Sequence, residues 1–243
     1  MRICAAADLH GSSIALSYIG YMAKEHKVDL ILIAGDICAG SITRHFVKLL
    51  PEISKYSCCP IIITLGNHDL ISNIEKYFPG SAEYIAGTKQ LTKGSVVCLI
   101  EQSITFKNLN IWGSPYTNRY GDWSWTRDVP NMKFEIPRWT DILLTHSPAF
   151  SKGDHVPDGK NIGSEALLLA INNTPNLKLH VFGHAHADGG WEGRIGNTIL
   201  RNCAMMTENL EINYKGLAII DVKSDKKEYI QCQYCNKERR TDE

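Results

Sequence analysis

The chain has no uninterrupted apolar run approaching the ~18 residues that a membrane-spanning helix needs. It has no excess of either charge, since Lys+Arg and Asp+Glu number 26 each. That balance removes any bulk attraction for nucleic acid or anionic lipid, and disfavours membranes and polymeric nucleic acid as partners. Internal repeats, low-complexity tracts and Pro/Gly-rich linkers are also missing. The 243 residues therefore read as one domain over 1–236 followed by a charged tail, 237–243. The basic-then-apolar opening from Met1 to Ala7 stops at Asp8, too short for a signal-peptide core. The eight cysteines (4, 38, 58, 59, 98, 203, 232 and 235) are scattered, several of them inside apolar runs where Cys acts as a small hydrophobe. Without a secretory segment they read as reduced thiols of a cytoplasmic protein. Cys232 and Cys235 form the sole Cys-x-x-Cys; with no second pair, it reads as structural rather than as a zinc or redox site.

What is present is a series of apolar runs that end in polar residues. Residues 2–7, 28–34 and 60–65 read as buried strands. Helices are expected between them, the first capped by Ser12 with Ile14, Tyr18, Tyr21 and Met22 at helical spacing. The second presents Ile42, Phe46, Leu49, Leu50 and Ile53 on one face, with Pro51 its weak point. Strand, helix, strand, helix, strand with short connections predicts a parallel sheet covered by helices, an α/β fold. Residues 95–100 and 104–113 read as further strands, with a turn at Lys107-Asn108. Residues 114–137 form a long irregular stretch carrying Tyr116, Tyr120, Trp123, Trp125 and Phe134, and a loop of that length is usually functional or mobile. A strand at 141–145, a helix near 164–173 capped by Ser164 and a strand at 177–182 follow. Segments 198–204, 214–222 and 228–234 read as antiparallel strands.

Five of these strands end in Asp8/His10, Asp36, Asn67/His68/Asp69, His146 and His184/His186. Ligands bind beyond the carboxyl ends of strands in open α/β sheets. Any one of these residues alone would be ordinary, because Gly-Asp and Asn-His-Asp also mark turns. Unrelated turns would not place imidazoles or carboxylates after five separate strands. Of nine histidines only His26, His45, His155 and His180 fall elsewhere, and His180, inside a strand, reads as packing. Asp8, His10, Asp36, Asn67, His146, His184 and His186 offer four imidazoles, two carboxylates and one amide, all suited to a borderline divalent metal. The set exceeds the four ligands of one tetrahedral site. Two metals sharing a bridging carboxylate fit the count better.

In order, Asp8-x-His10, Gly35-Asp36, Gly66-Asn67-His68-Asp69, His146 and Gly183-His184-x-His186 resemble the five motifs of the calcineurin-like metallophosphoesterase superfamily. The segments Ile111 to Tyr116, Asp141 to Pro148 and Leu179 to His184 resemble, more narrowly, its metallophosphoesterase-domain-containing group, which acts as cyclic-nucleotide-type phosphodiesterases. The resemblance implies a four-layer αββα sandwich with a dinuclear centre. It implies that Asp8, His10, Asp36 and His186 hold one metal and that Asp36, Asn67, His146 and His184 hold the other. Asp36 would then bridge, with His68 beside the substrate and Asp69 orienting His68. Imidazole, carboxylate and amide ligands suit Mn, Fe, Zn, Ni or Co, with Mn the choice for assay.

The chemistry expected of such a centre is in-line hydrolysis of a phosphoester. Two cations about 3.5–4 Å apart acidify a bridging water to hydroxide and clamp phosphoryl oxygens. His68 serves as general acid. Where phosphoprotein phosphatases of the superfamily carry Asp-Arg-Gly, this chain has Ile37-Cys38-Ala39-Gly40. Losing that arginine fork disfavours a dianionic phosphomonoester and leaves a small phosphodiester, a cyclic or other nucleotide, as the expected substrate. Arg44 or Arg119 is the available substitute. A phosphomonoesterase or protein phosphatase, a nuclease and a non-catalytic scaffold on the same fold are the alternatives. A nuclease needs a basic groove or an added DNA-binding domain, and a scaffold typically has decayed motifs. The aromatics of 114–137 either stack on a base or pin the loop, and pinning is the preferred role for Trp123 and Trp125.

Overall fold

Successive residues of the apolar strands face opposite ways, and that alternation builds the layers. A computed structural model describes residues 1–38, 44–71, 73–224, 229–231 and 238–240, with the backbone alone described at 44–45, 229–231 and 238–240. Arg2–Ala6 (β1), Leu30–Ala34 (β2), Ile61–Thr64 (β3) and Val96–Cys98 (β4) lie side by side in that order, all parallel. Ser13–Glu25 (α1) and Arg44–Ser57 (α2) cover one face, over Cys4, Ala6, Ile31, Ile33, Ile61 and Ile63. The intervening residues Ile3, Ala5, Leu30, Leu32 and Ile62 point the other way, into a second core.

That second core is closed by another sheet. Two short helices, Ile74–Tyr77 (α3) and Ser81–Ile85 (α4), precede the hairpin Gln102–Phe106 (β5) and Leu109–Ser114 (β6), which turns at Lys107-Asn108. The loop beyond it carries a small pair, Thr117–Asn118 (β7) and Thr126–Arg127 (β8). Ile142–Thr145 (β9) and Leu179–Phe182 (β10) run parallel to β6, separated by Glu165–Asn172 (α5), whose cap Ser164 accepts from the Leu167 N–H. Glu192–Ile195 (β11) and Thr198–Asn202 (β12) complete the order β11-β12-β10-β9-β6-β5. Ile111, Ile142, Leu144, Leu179 and Val181 face the first sheet, while Trp112 and Leu143 pack outward against Leu167 and Ile171 of α5. Helices, sheet, sheet and helix make the expected four-layer αββα sandwich.

Three details differ from the sequence reading. β12 pairs antiparallel with β11 as expected but parallel with β10, because the chain leaves β10 through the His184–His186 turn and returns by way of the β11 hairpin. Ala218–Asp221 (β13) is antiparallel, as expected, against β1. In α1 the inward residues are Ala15, Leu16, Ile19, Gly20 and Ala23, whereas Ile14 and Tyr21 are exposed. Small side chains let α1 lie close on α2: a Cβ at Gly20 would sit 3.1 Å from Ile53 Cγ2. Within the expected tail, Glu238–Arg240 (β15) pairs with Tyr229–Gln231 (β14). Ala39, Gly40, Ile42, Cys232 and Cys235 lie outside the described residues, as does the side chain of Arg44. No helix among the described residues is long and apolar enough to cross a membrane.

The burial pattern has a direct consequence for stability. Leu144, fully buried between the sheets, is expected to cost about 2–5 kcal/mol when replaced by alanine. Ile14→Ala, on the outer face of α1, should stay within about 0.5 kcal/mol. Urea unfolding of the two variants measures both, and comparable losses would contradict the assigned face of α1.

Candidate metal centre

The strand ends converge because both sheets direct the carboxyl ends of their parallel strands to one edge. Backbone bonds join the sheets there: the Ala7 N–H donates to the Cys203 carbonyl at 2.8 Å, and the Met205 N–H to the Ala7 carbonyl at 2.9 Å. Asp8, His10, Asp36, Asn67, His146, His184 and His186 all come together at this edge. Asp8, Asp36 and His146 form one group and Asp8, His10 and His186 another, the ligand atoms of each lying within 4.8 Å of one another. Asp36 Oδ2 lies 3.3 Å from His146 Nε2 and 3.9 Å from His10 Nε2. Both carboxylates therefore stand between the imidazoles. The His184 ring approaches that of His146, with centroids 5.0 Å apart, and its backbone N–H donates to Asp8 Oδ2.

The imidazoles are held from behind. His146 Nδ1 is 2.8 Å from the Ala34 carbonyl, which can only accept, so Nδ1 carries the proton and Nε2 points inward. That Nε2 meets Asn67 Oδ1 at 3.0 Å and the Asp36 carboxylate. His186 repeats the arrangement, with Nδ1 facing the Thr207 carbonyl at 3.3 Å and Nε2 at 3.2 Å from both Asp8 Oδ1 and His10 Nε2. Lone pairs of oxygen and nitrogen aimed at one another repel unless a proton or a cation lies between them. A divalent ion fits this donor set, and a backbone carbonyl of the kind that orients His146 and His186 is the usual support of a metal ligand.

The backbone is strained in the same place. Asp8, His10, Asp36 and His184 all have positive φ, at 55°, 44°, 48° and 72°. Such conformations are costly for residues with a Cβ and collect at functional sites. Gly66 leaves the room this requires, since a Cβ there would sit 2.8 Å from His146 Nε2.

The electrostatics follow from crowding opposite charges out of water. Burial alone would push the His146 imidazole down, but Asp36 outweighs it and lifts His146 to about 9. Asp8 does the same for His186, also to about 9 against its burial. Burial would raise Asp36 and Asp8, yet His146 and His186 respectively hold them below the usual carboxylate range. His184 falls to about 3 through burial and the neighbouring His146. His180 is fully buried, 2.7 Å from Thr145 Oγ1 and away from this group, as a packing residue.

Asp69 is occupied by main-chain donors. Its carboxylate accepts backbone N–H groups from Ile37 (3.2 Å), Cys38 (3.0 Å) and Gly66 (2.9 Å). The resemblance implies that Asp69 orients His68; the bonds it makes tie the turn after β3 to the turn after β2. His68 itself stands outside the two groups, with its N–H on Asp36 Oδ1 at 2.8 Å and its side chain one-third exposed. It opens into a cleft of about 750 Å³ floored by Asp36, Asn67, His184 and His186, and walled by residues 117–126 and 156–162. Asp154, which the sequence did not single out, supports the second wall by accepting from the backbone of Ser151 and Gly163 and from Asn161 Nδ2. The Ala34 and Thr207 carbonyls could not have been found, since every residue carries a carbonyl.

A family model described as calcineurin-like phosphoesterase matches residues 1–188. UPF0046 protein T07D4.2 of Caenorhabditis elegans is 26% identical over 210 residues, which is 76% of this chain and 52% of that protein. Human Metallophosphoesterase domain-containing protein 1 is 25% identical over 201 residues, covering 75% of this chain and 61% of its own. The chain thus spans about half to three-fifths of the length of these curated relatives. Among solved structures, TT1561 of Thermus thermophilus has the same fold, with a TM-score of 0.58 at 14% identity over 82% of this chain and 87% of that one.

Asp69→Ala would strip three buried N–H groups of their acceptor, each at about 1–3 kcal/mol. A loss of at least about 3 kcal/mol in urea unfolding is expected. Unchanged stability with lost turnover would instead mean that Asp69 acts on His68.

Proposed function

Because the chain belongs to the calcineurin-like phosphoesterase family, we propose that it hydrolyses small phosphodiesters, foremost cyclic or other nucleotides, with two divalent ions. The observation that carries this reading is the inward-facing donor set at the floor of a cleft far larger than a phosphate. In this reading Asp8, His10, Asp36 and His186 hold one ion, and Asp36, Asn67, His146 and His184 the other. The donors suit Mn, Fe, Zn, Ni or Co. When bound, the ions supply charge neutralisation on the phosphoryl oxygens and activation of the attacking water. Residues 1–236 act as one catalytic domain of a cytoplasmic protein.

The chain's own groups do the rest. The Ala34 and Thr207 carbonyls fix which nitrogen His146 and His186 present. His68, beside the donors and open to the cleft, delivers a proton to the leaving alkoxide. The cleft's cations favour a diester, because each already has a carboxylate: Arg119 Nε lies 2.7 Å from Asp128, and Lys160 Nζ 2.6 Å from Asp158. Glu208 is also in the lining, so among the described residues neither the arginine nor the lysine of this wall is left to grip a second negative charge. A monoanionic diester with a neutral body suits such a wall better than a phosphomonoester dianion or a polynucleotide.

A panel of 2′,3′- and 3′,5′-cyclic nucleotides, bis(p-nitrophenyl) phosphate and p-nitrophenyl phosphate, assayed with Mn²⁺, tests this. Diesters should lead in kcat/KM, and His68→Ala should keep both ions while losing about 10²–10⁴ in kcat on the cyclic nucleotides. Preference for the monoester would overturn the diester assignment, and no hydrolysis together with no bound transition metal would overturn the enzyme.

Loading should also release protons. Without metal His146 and His186 stay protonated up to about 9, so at pH 7 each ion must displace them, and affinity should tighten as pH rises towards that value. The ion pairs' contribution to the metal-free fold has the opposite course. It is complete below about 6.5, the unfolded imidazole value, and is lost as pH rises through about 9. Calorimetric titration of Mn²⁺ at pH 7 in two buffers of different protonation enthalpy counts the protons, and a count of zero would refute the linkage.

A further inference from the structure

His68 has a well-held backbone and a loosely held ring. Its N–H is fixed by Asp36 Oδ1, but its Nε2 is 4.0 Å from Asp36 Oδ2, beyond hydrogen-bond range. Asp69, the carboxylate next to it in sequence, is occupied by three backbone donors. The contacts that confine the ring are aromatic. His10 lies edge-on, with centroids 5.0 Å apart at 75°, and the Trp123 indole lies 4.3 Å away, inclined at 58°.

Trp123 is placed to do this because its loop is fastened to the same turn. Trp125 Nε1 donates to the Asp69 carbonyl at 2.9 Å, and the Trp125 carbonyl accepts from the Thr117 N–H at 3.0 Å. The Trp123 carbonyl accepts from Thr126 Oγ1 at 3.1 Å. Next along the loop, the Arg127 guanidinium stacks over Tyr116 at 3.4 Å and binds Glu101 through both nitrogens at 2.8 and 2.9 Å. The two tryptophans therefore divide the labour: Trp125 anchors the loop, and Trp123, 44% exposed in the cleft wall, faces the imidazole.

We infer that Trp123 is the positioning residue for His68, packing against the imidazole so that its ring nitrogen stays aimed at the leaving oxygen. The inference rests on the proposed role of His68 as the proton donor. The balance is simple: the P–O bond to the leaving group breaks, its electron pair goes to that oxygen, and the His68 N–H proton moves onto it. A donor free to rotate spends less time aligned, so loss of the indole lowers turnover without weakening substrate binding.

The test uses the full chain with Mn²⁺ and compares two leaving groups. A 3′,5′-cyclic nucleotide expels an alkoxide, which needs a proton, while bis(p-nitrophenyl) phosphate expels a stable phenolate, which does not. Trp123→Ala should lower kcat on the cyclic nucleotide about 3- to 10-fold, the range expected for losing one aromatic contact, at unchanged KM. It should leave the phenolate substrate nearly untouched, and Trp123→Phe should recover most of the loss. In a His68→Ala background, Trp123→Ala should have no further effect. In the diamagnetic Zn²⁺-loaded protein, Trp123→Ala should also shift the His68 ring resonances by removing the indole ring current. A higher KM confined to nucleotides would overturn the proposal in favour of base stacking. Equal losses with and without His68, or unmoved His68 resonances, would overturn it outright. A wild type inactive on every ester fails the hydrolase reading itself, a different result from His68-dependent hydrolysis indifferent to Trp123.

Discussion

The site depends on a carboxylate, Asp36, held almost free of water among imidazoles. One of its oxygens is committed to the His68 N–H. The other faces Nε2 of His146, His10 and His68 at 3.3, 3.9 and 4.0 Å. A buried carboxylate without nearby positive charge is very costly. The neighbours that surround it are bases, with the outward nitrogen of His146 fixed by the Ala34 carbonyl, so the charge has to come from protons or from a cation. Protons answer this for two histidines at a time, and a divalent ion answers it for several donors at once. The raised values of His146 and His186 and the lowered values of Asp36 and Asp8 express that one constraint.

Holding the arrangement in place falls to the sheets. Four of the donor residues have left-handed backbones, each a strain of order 1–3 kcal/mol. Strain of that kind persists only when the surroundings over-determine it. Here each strained residue lies within four residues of the end of a largely buried strand, and the bonds between Ala7 and Cys203 and Met205 lock one sheet to the other at the same edge. Asp69 adds a brace by gathering the backbone of two adjacent turns. Rigidity is thus concentrated under the donors, while the cleft walls above them are loops.

The donors were legible in the sequence because their signal is one-dimensional: an apolar run stopping at His, Asp or Asn marks a strand end whatever the strand's neighbours are. The alternation of Ile61, Ile62 and Ile63 between two cores was implicit in the same runs. What could not be read depended on spatial neighbours. Nothing in residues 198–202 states that β12 lies parallel to β10. Ile14 and Tyr21 fit a helical stripe, but the small residues beside them decided which stripe turned inward. The pairing of Asp69 with His68 came only from the resemblance, and in this turn the Asp69 carboxylate meets three backbone N–H groups. Trp123 and Trp125 differ by two residues and were indistinguishable until their partners, an imidazole and a carbonyl, were known.

The charge pattern of the cleft bears on selectivity in a way that the donors do not. Phosphoryl chemistry at a dinuclear centre is indifferent to whether the ester carries one substituent or two, so discrimination has to come from the walls. Arg119 and Lys160 each enter the lining already matched by an aspartate. Exposed pairs of this sort contribute little to stability, but they cancel the long-range field that would draw in a dianion. Tyr120, 78% exposed, offers apolar surface instead, its ring 6.2 Å from that of Trp123, whose own face is taken up by His68. A wall that neutralises its own cations and exposes aromatic faces rewards substrates for shape and apolar area rather than charge. The proposed diester preference rests on that ground: a diester has a second substituent for such a wall to meet, and a monoester has none.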